Sequence, residues 1–501
     1  MSRMLFAGDI CFGYSDFVIG SKYSSDYISD CKDIIMSCDY RLANLENPIT
    51  SNNHMIKKTG VALKSDTDAI AFLSEMKLDC VSIANNHIGD FGENGIKDTI
   101  EILEENQIEH IGAGKGKMQA FQPVHFQDIS IVAICENEFG ITHNTEYGAA
   151  GYDEKYIGKI IRYEVENGYK VIVFFHGGYE GNPVPTPGCK LRFHKMIDEG
   201  AAAIVSTHTH CPQGIELYKN APIVYSLGNF NFYNPDMYDP TCPWYFGYML
   251  ILKTDESVSI EEVVPYHFDV KASKISLLHN DEKKMFMDHL NDISDCILDD
   301  EKLQHYFWGL CYEKKNYYKN TLKRIKWESE KTDDFLEIKN MFNCETHNET
   351  MAGVTRIYTG EYDLGECVTY TNNLRKLSHV TNNINMGMEL TKKNNIYFSL
   401  PLTSEKKYAI WGSGKLGVYS LKAVMDAGGE VLFFIDRNAK NGEYFVCNKN
   451  VLTMEKANIS LVDSIIIAIS KIGHDEKEEI VYLSDRLGKT NLIIASCDRS
   501  Y

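Results

Sequence analysis

The sequence predicts an α/β protein of more than one domain, on three observations. Short apolar runs of strand length alternate with helix-period stretches from Met4 to about Asp269. Several of those runs end in a polar residue or a glycine, where an α/β sheet presents its ligands. The same texture returns at Tyr408, after a proline-free span from about Lys271 to Cys344 rich in Lys, Glu, Asp, Tyr and Trp and a mixed connector. At 501 residues and 44% hydrophobic, the chain can bury several cores. The boundaries fall at residues 1–270, 271–400 and 401–501: an α/β domain, a mainly helical connector or subdomain, and a small α/β domain.

Taken in order, Met4–Ala7 reads as a strand and Leu78–Ala84 as another, followed by a helix from about Glu93. Ile96, Ile100 and Leu103 fall at i, i+4 and i+7 and should form that helix's buried face. Val171–Phe175, Ala202–Val205 and Ile223–Leu227 read as further buried strands. From Lys271 to Cys344 the pattern is that of long solvated helices with an aromatic inner face, and 345–407 is a mixed connector. Tyr408–Trp411, Val431–Ile435, Ser464–Ile469 and Leu492–Ala495 read as the strands of the last domain.

Lys plus Arg number 51 and Asp plus Glu 70, so the formal charge is 51 − 70 = −19. That balance argues against a general nucleic-acid binder, which needs a basic face to replace counterions, but leaves room for a local basic pocket. No apolar run approaches the ~18 residues of a membrane span; Trp244–Leu252 is among the longest. Met1-Ser2-Arg3 leads straight into strand-like residues without a secretory h-region. Fourteen cysteines without paired spacing suggest reduced thiols. A cytoplasmic protein is expected.

The polar residues after the strands form one set. It comprises Gly8-Asp9, Asn44-Leu45-Glu46, Asn85-Asn86-His87 with Asp90, His176-Gly177-Gly178-Tyr179-Glu180, and Thr207-His208-Thr209-His210. Carboxylates, amides and imidazoles at one sheet rim suit Mn, Fe, Zn or Mg better than a thiol-preferring ion. A His-x-His pair can turn two imidazoles toward adjacent metals, and two metals ~3.5–4 Å apart polarise a phosphoryl group for in-line attack. Each piece alone has a plainer reading: Gly-Asp as a turn, Asn-Asn-His as a helix cap with a surface histidine. Five pieces in order favour the metal.

The strings Phe6-Ala7-Gly8-Asp9, Ala43-Asn44-Leu45-Glu46-Asn47-Pro48, Ala84-Asn85-Asn86-His87-Ile88-Gly89-Asp90-Phe91-Gly92, Gly112-Ala113-Gly114, His176-Gly177-Gly178-Tyr179-Glu180, His208-Thr209-His210 and Tyr225-Ser226-Leu227-Gly228-Asn229-Phe230 carry a resemblance. Residues 4 to about 269 resemble the CapA family of capsule and poly-γ-glutamate synthesis proteins, whose domain is related to calcineurin-like metallophosphoesterases. The resemblance implies a four-layer α/β/β/α sandwich with a metal site at the strand ends. It implies Asp9 and His210 at one metal, Asn86, His176 and His208 at the other, and Glu46 as the bridge. His87 stands where the leaving-group acid belongs. Asp90, grouped with His87 as the catalytic pair, and Glu180 would orient imidazoles, with surface salt bridging as the alternative. Asn44 and Asn229 lie close to the site on this reading. Two features depart from the phosphatase pattern: Cys11 stands where a histidine is usual, and Glu46 where an aspartate is usual.

In the last domain, Gly412-Ser413-Gly414-Lys415-Leu416-Gly417 follows a strand and precedes a helix, and Asp436 stands 24 residues after Gly412. This is the arrangement of a Rossmann-like dinucleotide fingerprint, with Gly412, Gly414 and Gly417 at the phosphates and Asp436 at the ribose. The alternative keeps the glycines for tight packing only.

The expected function is a metal-dependent hydrolase or transferase of phosphoesterase type in capsule, exopolysaccharide or poly-γ-glutamate synthesis. Expected cofactors are one or two divalent ions (Mn, Fe, Zn or Mg) and a nucleotide at the last domain. Expected partners are the polymer, or a phosphorylated or γ-glutamyl precursor, and a membrane-bound synthesis complex on which a cytoplasmic protein docks peripherally. Two alternatives stand beside it: a non-catalytic module that binds polymer or precursor, and a nucleotide-sugar-linked enzyme acting through the last domain.

Overall fold

The computed structural model describes residues 2–14, 17–18, 27–142, 146–232, 242–269, 274–325 and 333–362, then 406–413, 417, 420–421, 424–425, 428–437, 439, 444–446, 449–468 and 492–494. These fall into two compact units, one up to residue 362 and one from 406 on. Each is described by itself.

Two large sheets of the first unit hold fourteen strands. They are β1 (Ser2–Cys11), β2 (Tyr40–Leu45), β3 (Cys80–Ser82), β4 (Glu109–Ile111), β5 (Val124–Phe126), β6 (Ile129–Cys135) and β7 (Lys170–His176), followed by β8 (Ala201–Thr207), β9 (Ile215–Tyr218), β10 (Ala221–Val224), β11 (Asn229–Phe232), β12 (Phe246–Thr254), β13 (Val258–Asp269) and β14 (Lys274–Leu277). One sheet runs β14-β13-β12-β1-β2-β3-β4, with β11 also paired to β1; the other runs β9-β10-β8-β7-β6-β5. β1 through β4 pair in parallel, as do β6, β7, β8 and β10.

The period of two along β7 explains how the sheets stack. Val171, Val173 and Phe175 belong to a core shared with helical residues: Ile157 and Ile161 of Glu154–Glu166, Phe193 and Met196 of Pro187–Asp198, and Ile293 and Ile297 of Asn280–Leu298. The intervening Phe174 turns the other way and stacks on Phe6 of β1, ring centroids 6.1 Å apart. Each such fully buried aromatic contributes roughly 1.5–3 kcal/mol. The result is an α/β sandwich.

The span expected as solvated helices holds Asn280–Leu298, Asp300–Arg324 and Asp333–Asn343, with buried Phe286, Tyr306, Phe307, Trp308 and Tyr318 inside, and the stretch read as a mixed connector opens with a further helix, Glu345–Tyr358. They pack as part of the first unit. On helix Gly92–Glu105, Ile96 and Leu103 are buried as expected, but Ile100 is only half-buried. Thr99 takes that place because its hydroxyl donates to the Gly95 carbonyl and accepts from the Ile49 N–H. No helix among the described residues is long and apolar enough to cross a membrane.

The second unit holds one six-stranded sheet: β15 (Lys407–Trp411), β16 (Glu430–Ile435), β17 (Tyr444–Val446), β18 (Lys449–Leu452), β19 (Ser464–Ile467) and β20 (Leu492–Ile494), in the order β17-β18-β16-β15-β19-β20. All neighbours are parallel except β17 with β18. Tyr408 and Ile410 pack on one face and Ala409 and Trp411 on the other, the two-sided burial of a parallel sheet. The strand order reverses at β15, whose carboxyl end, Trp411, is followed by Gly412.

Gly412 has φ +109°, and a Cβ on Gly417 would stand 1.9 Å from the Gly412 carbonyl oxygen. Gly417→Ala should therefore destabilise this unit by about 1–3 kcal/mol. Hydrogen exchange at residues 407–411 and 430–435 of the full chain should quicken; unchanged exchange would mean the turn tolerates a side chain. Gly414, the middle glycine of the fingerprint, lies outside the described residues.

Candidate metal centre

Parallel strands deliver their carboxyl ends to one rim, and that rim collects the predicted residues. Asp9 sits in register with Asn44 on one side and Asn229 on the other. The approach is close because residue 8 has no side chain: a Cβ on Gly8 would lie 1.9 Å from the Gly228 carbonyl oxygen. His176 is the last residue of β7, and His208 and His210 follow β8. Both of the latter have positive φ, +93° and +54°. Such backbone in a non-glycine residue costs of order 1–3 kcal/mol and clusters at functional sites.

Asp9, Glu46, Asn86, His176, His208 and His210 are all buried. Glu46, His176 and His208 present ligand atoms within 4.8 Å of one another, and so do Asp9, Glu46 and His210. Glu46 is common to both groups. Cys11, at the end of β1, belongs to neither.

A dense hydrogen-bond set holds these side chains. Asn44 Nδ2 donates to Asp9 Oδ1 at 2.8 Å and lies 3.2 Å from His176 Nδ1. The backbone N–H of His208 donates to Asp9 Oδ2 at 2.9 Å. His176 Nε2 is 3.1 Å from Asn86 Oδ1 and 3.0 Å from His208 Nδ1. His210 Nδ1 meets Asn229 Oδ1 at 2.8 Å, and its ring is backed by Trp244 at 4.3 Å. Asn85, not singled out from the sequence, donates to Asn44 Oδ1 at 3.1 Å and accepts from the His87 and Ile88 N–H groups.

Glu46 is the exception. Both carboxylate oxygens are buried, and no donor among the described residues hydrogen-bonds to them. His210 Nε2 stands 3.5 Å and His176 Nε2 4.0 Å from Oε1. Burial, then the charges of Asp9 and Glu180, pushes the Glu46 carboxyl well above its ordinary range. Burial would also raise Asp9, but the His176 imidazole 3.7 Å away and the charges of His176 and His210 outweigh that and hold it at about 2. Burial lowers His208 well below the usual imidazole value, and lowers His210 too. An orphaned buried carboxylate among near-neutral imidazoles and an ionised aspartate fits a divalent cation with mixed O/N ligands.

His87 and Asp90 stand at the edge of this set. His87 Nδ1 is 2.7 Å from Asp90 Oδ2, the orienting contact expected of Asp90. Lys58, absent from the sequence reading, donates to Asp90 Oδ1 at 2.5 Å and to the Asn86 carbonyl at 3.3 Å, and lies 3.2 Å from His87 Nδ1. Glu180 is exposed and makes no hydrogen bond to an imidazole among the described residues, although its carboxylate feels the charges of His210, His208 and His87. The carboxylate nearer an imidazole is Glu138, 3.6 Å from His208 Nε2. Its neighbour Glu136 is clamped by Arg192 and by Thr346, on helix Glu345–Tyr358.

Residues 3–234 match the family model described as bacterial capsule synthesis protein PGA_cap. The chain is 28% identical over 246 residues to the capsule biosynthesis protein CapA of Bacillus anthracis, covering 46% of this chain and 59% of that protein. It is 29% identical over 237 residues to the PGA biosynthesis protein CapA of Bacillus subtilis, covering 45% and 62%. A probable polyglutamine synthesis accessory protein of Mycobacterium tuberculosis is 26% identical over 211 residues, covering 38% and 55%. The chain thus spans less than two-thirds of the length of each of these relatives. Residues 3–234 are thus similar to the PGA_cap family of bacterial capsule synthesis proteins and, over the same half of the chain, to proteins of CapA type.

Proposed function

We propose that the first unit is a metal-dependent hydrolase or transferase of phosphoesterase type, working in capsule or poly-γ-glutamate synthesis. The observation that carries this reading is Glu46, a buried carboxylate without a hydrogen-bond donor that is shared by two ligand groups. Asp9, Glu46 and His210 would hold one divalent ion; Glu46, His176 and His208, with Asn86 beside them, would hold a second. Such an ion polarises a phosphoryl or carbonyl oxygen and lowers the pKa of water.

The chain's own residues supply the rest. Asn44 ties Asp9 to His176, so the two ligand groups keep a fixed relation. Asp90 fixes the His87 ring through Nδ1, leaving Nε2 to hand a proton to a leaving oxygen. Lys58 holds Asp90 from the other side. The substrate would be a phosphoester or a γ-glutamyl amide in a surface polymer or its precursor, reached through a membrane-bound assembly complex. In the second unit, Ser413 donates through both N–H and Oγ to Asp436 Oδ2, at 3.0 and 2.5 Å. The acid that a ribose needs is engaged by the turn itself, which favours the packing role for Gly412 and Gly417.

The test is metal content with turnover. Chelator should abolish hydrolysis of bis-p-nitrophenyl phosphate or of a γ-glutamyl anilide, Mn²⁺ should restore it, and His210→Ala should lower bound metal. Protein that stays metal-free after incubation with Mn, Zn and Fe sinks the reading.

A further inference from the structure

We propose that Glu138 is a positioning residue of the metal centre, and that the helices Asp333–Asn343 and Glu345–Tyr358 hold it against His208. Both helices lie beyond residues 3–234, the part of the chain that is similar to capsule synthesis proteins. The inference rests on the reading of His208 as a metal ligand.

The two nitrogens of the His208 ring face different neighbours. Nδ1 stands 3.0 Å from His176 Nε2, inside the group that Glu46 completes. Two imidazole nitrogens, each ~2.0–2.1 Å from one tetrahedral ion, stand ~3.3 Å apart, so this pair is close to the spacing an ion needs. Nε2, on the other side of the ring, stands 3.6 Å from Glu138 Oε1. That gap exceeds a hydrogen bond, and a shift of ~0.6 Å closes it. A ligating histidine almost always gives its second N–H to a carboxylate, a carbonyl or a water. The contact fixes the tautomer and makes the ligating nitrogen more basic. Among the described residues, Glu138 is the carboxylate that pairs with His208.

The segment that carries Glu138 is gripped from both sides. Glu136, Asn137 and Glu138 follow β6, and three consecutive residues at the start of helix Glu345–Tyr358 hold them. Cys344 Sγ donates to Glu136 Oε2 at 3.3 Å, and Thr346 Oγ1 donates to Glu136 Oε1 at 2.6 Å. Between them, the Glu345 carboxylate accepts from the Asn137 N–H at 2.9 Å and from Asn137 Nδ2 at 2.5 Å. On the other side, the Gly178 N–H donates to Glu136 Oε2 at 3.2 Å, and a Cβ on Gly177 would stand 2.5 Å from Glu136 Cγ. The segment therefore lies directly against the turn that follows His176. Asn340 Nδ2 donates to Glu138 Oε2 at 3.3 Å, which leaves Oε1 for His208. Packing accounts for Glu136, whose buried carboxylate is answered by Arg192. It does not account for a second carboxylate turned toward an imidazole of the ligand group.

The test reads metal affinity and ring chemistry on the full chain, without turnover. Zn²⁺ affinity is measured by competition with a chromophoric chelator. Glu138→Ala should weaken it ~10–100-fold, the range for losing such a supporting contact. Glu138→Gln keeps an acceptor for the ring N–H and should recover part of that loss. Asn340→Ala, on a half-buried helix position, should shift affinity the same way by less, and it carries the test if the Glu138 variants do not fold. Glu101→Gln, an exposed position on helix Gly92–Glu105, should stay within about twofold of wild type. In the Zn²⁺-loaded chain labelled with ¹⁵N-histidine, wild type should show an exchange-protected ring N–H that Glu138→Ala exposes to solvent. Wild type that takes up no Zn²⁺ sinks the metal reading itself. Zn²⁺ uptake by wild type, with equal affinity and an unchanged ring N–H in Glu138→Ala, overturns the positioning role alone. So does an equal loss of affinity in Glu101→Gln.

Discussion

His87→Ala should keep bound metal close to wild type and slow hydrolysis of a phosphodiester with a poor leaving group by ~10²–10⁴. The ring follows Asn86, whose Oδ1 touches His176, yet His87 is itself in neither ligand group. Asp90 accepts from its Nδ1 at 2.7 Å, and the Leu63 N–H and Lys58 ammonium hold Asp90 in turn. An alkoxide needs a proton on leaving, whereas a nitrophenolate needs far less help. The same variant should therefore lose little on a nitrophenyl ester, and Asp90→Asn should show the same substrate split at smaller size. If His87→Ala strips the metal, His87 is a ligand. If neither metal nor rate changes, the site does not perform this chemistry.

The second large effect is expected at Glu46, and its sign depends on metal. In chelator, the folded chain holds a proton on Glu46 that the unfolded chain, with a carboxyl pKa of ~4.3, would release. That contribution is fully present below the unfolded value and is lost as pH rises through the raised folded one. Glu46→Gln has no such proton to lose and no charge to set against Asp9. The metal-free variant should be more stable than metal-free wild type at neutral pH, by about 1–3 kcal/mol, and its decline with rising pH should flatten. With Mn²⁺ or Zn²⁺ the order should reverse, because ligand binding stabilises wild type by RT ln(1 + [L]/Kd) and the variant has lost the shared ligand. The loss in affinity should be at least the ~10–100-fold seen when a merely supporting contact is removed. Thermal melts with and without metal check both signs. Identical metal dependence in the two proteins would show that Glu46 is not a ligand.

How much of this was legible follows from where the information sits. Strand ends are local features: an apolar run such as Val171–Phe175 stops at a polar residue, and the sheet brings such stops to one rim. Asp9, Glu46, His176, His208 and His210 could therefore be named from sequence. Lys58 could not, because nothing in Ile56-Lys57-Lys58 marks a lysine that will be buried against Asp90, 32 residues on. Glu138 and Glu136 were hidden for the same reason: their partners Asn340 and Thr346 lie more than 200 residues away. Glu180 shares a string with His176 and is exposed, yet its carboxylate feels the charges of His210, His208 and His87. Ile100 misled because helical spacing allowed for apolar side chains and not for Thr99, whose hydroxyl is satisfied by the Gly95 carbonyl and the Ile49 N–H.

The most direct measurement is anomalous scattering from crystals of the full chain grown with Zn²⁺ and recorded across the zinc absorption edge. The expected result is anomalous density ~2.0–2.2 Å from the Glu46 carboxylate, within ligand distance of Asp9 and His210, of His176 and His208, or of both groups. Saturating zinc that leaves no anomalous density beside Glu46 would contradict the metal centre outright.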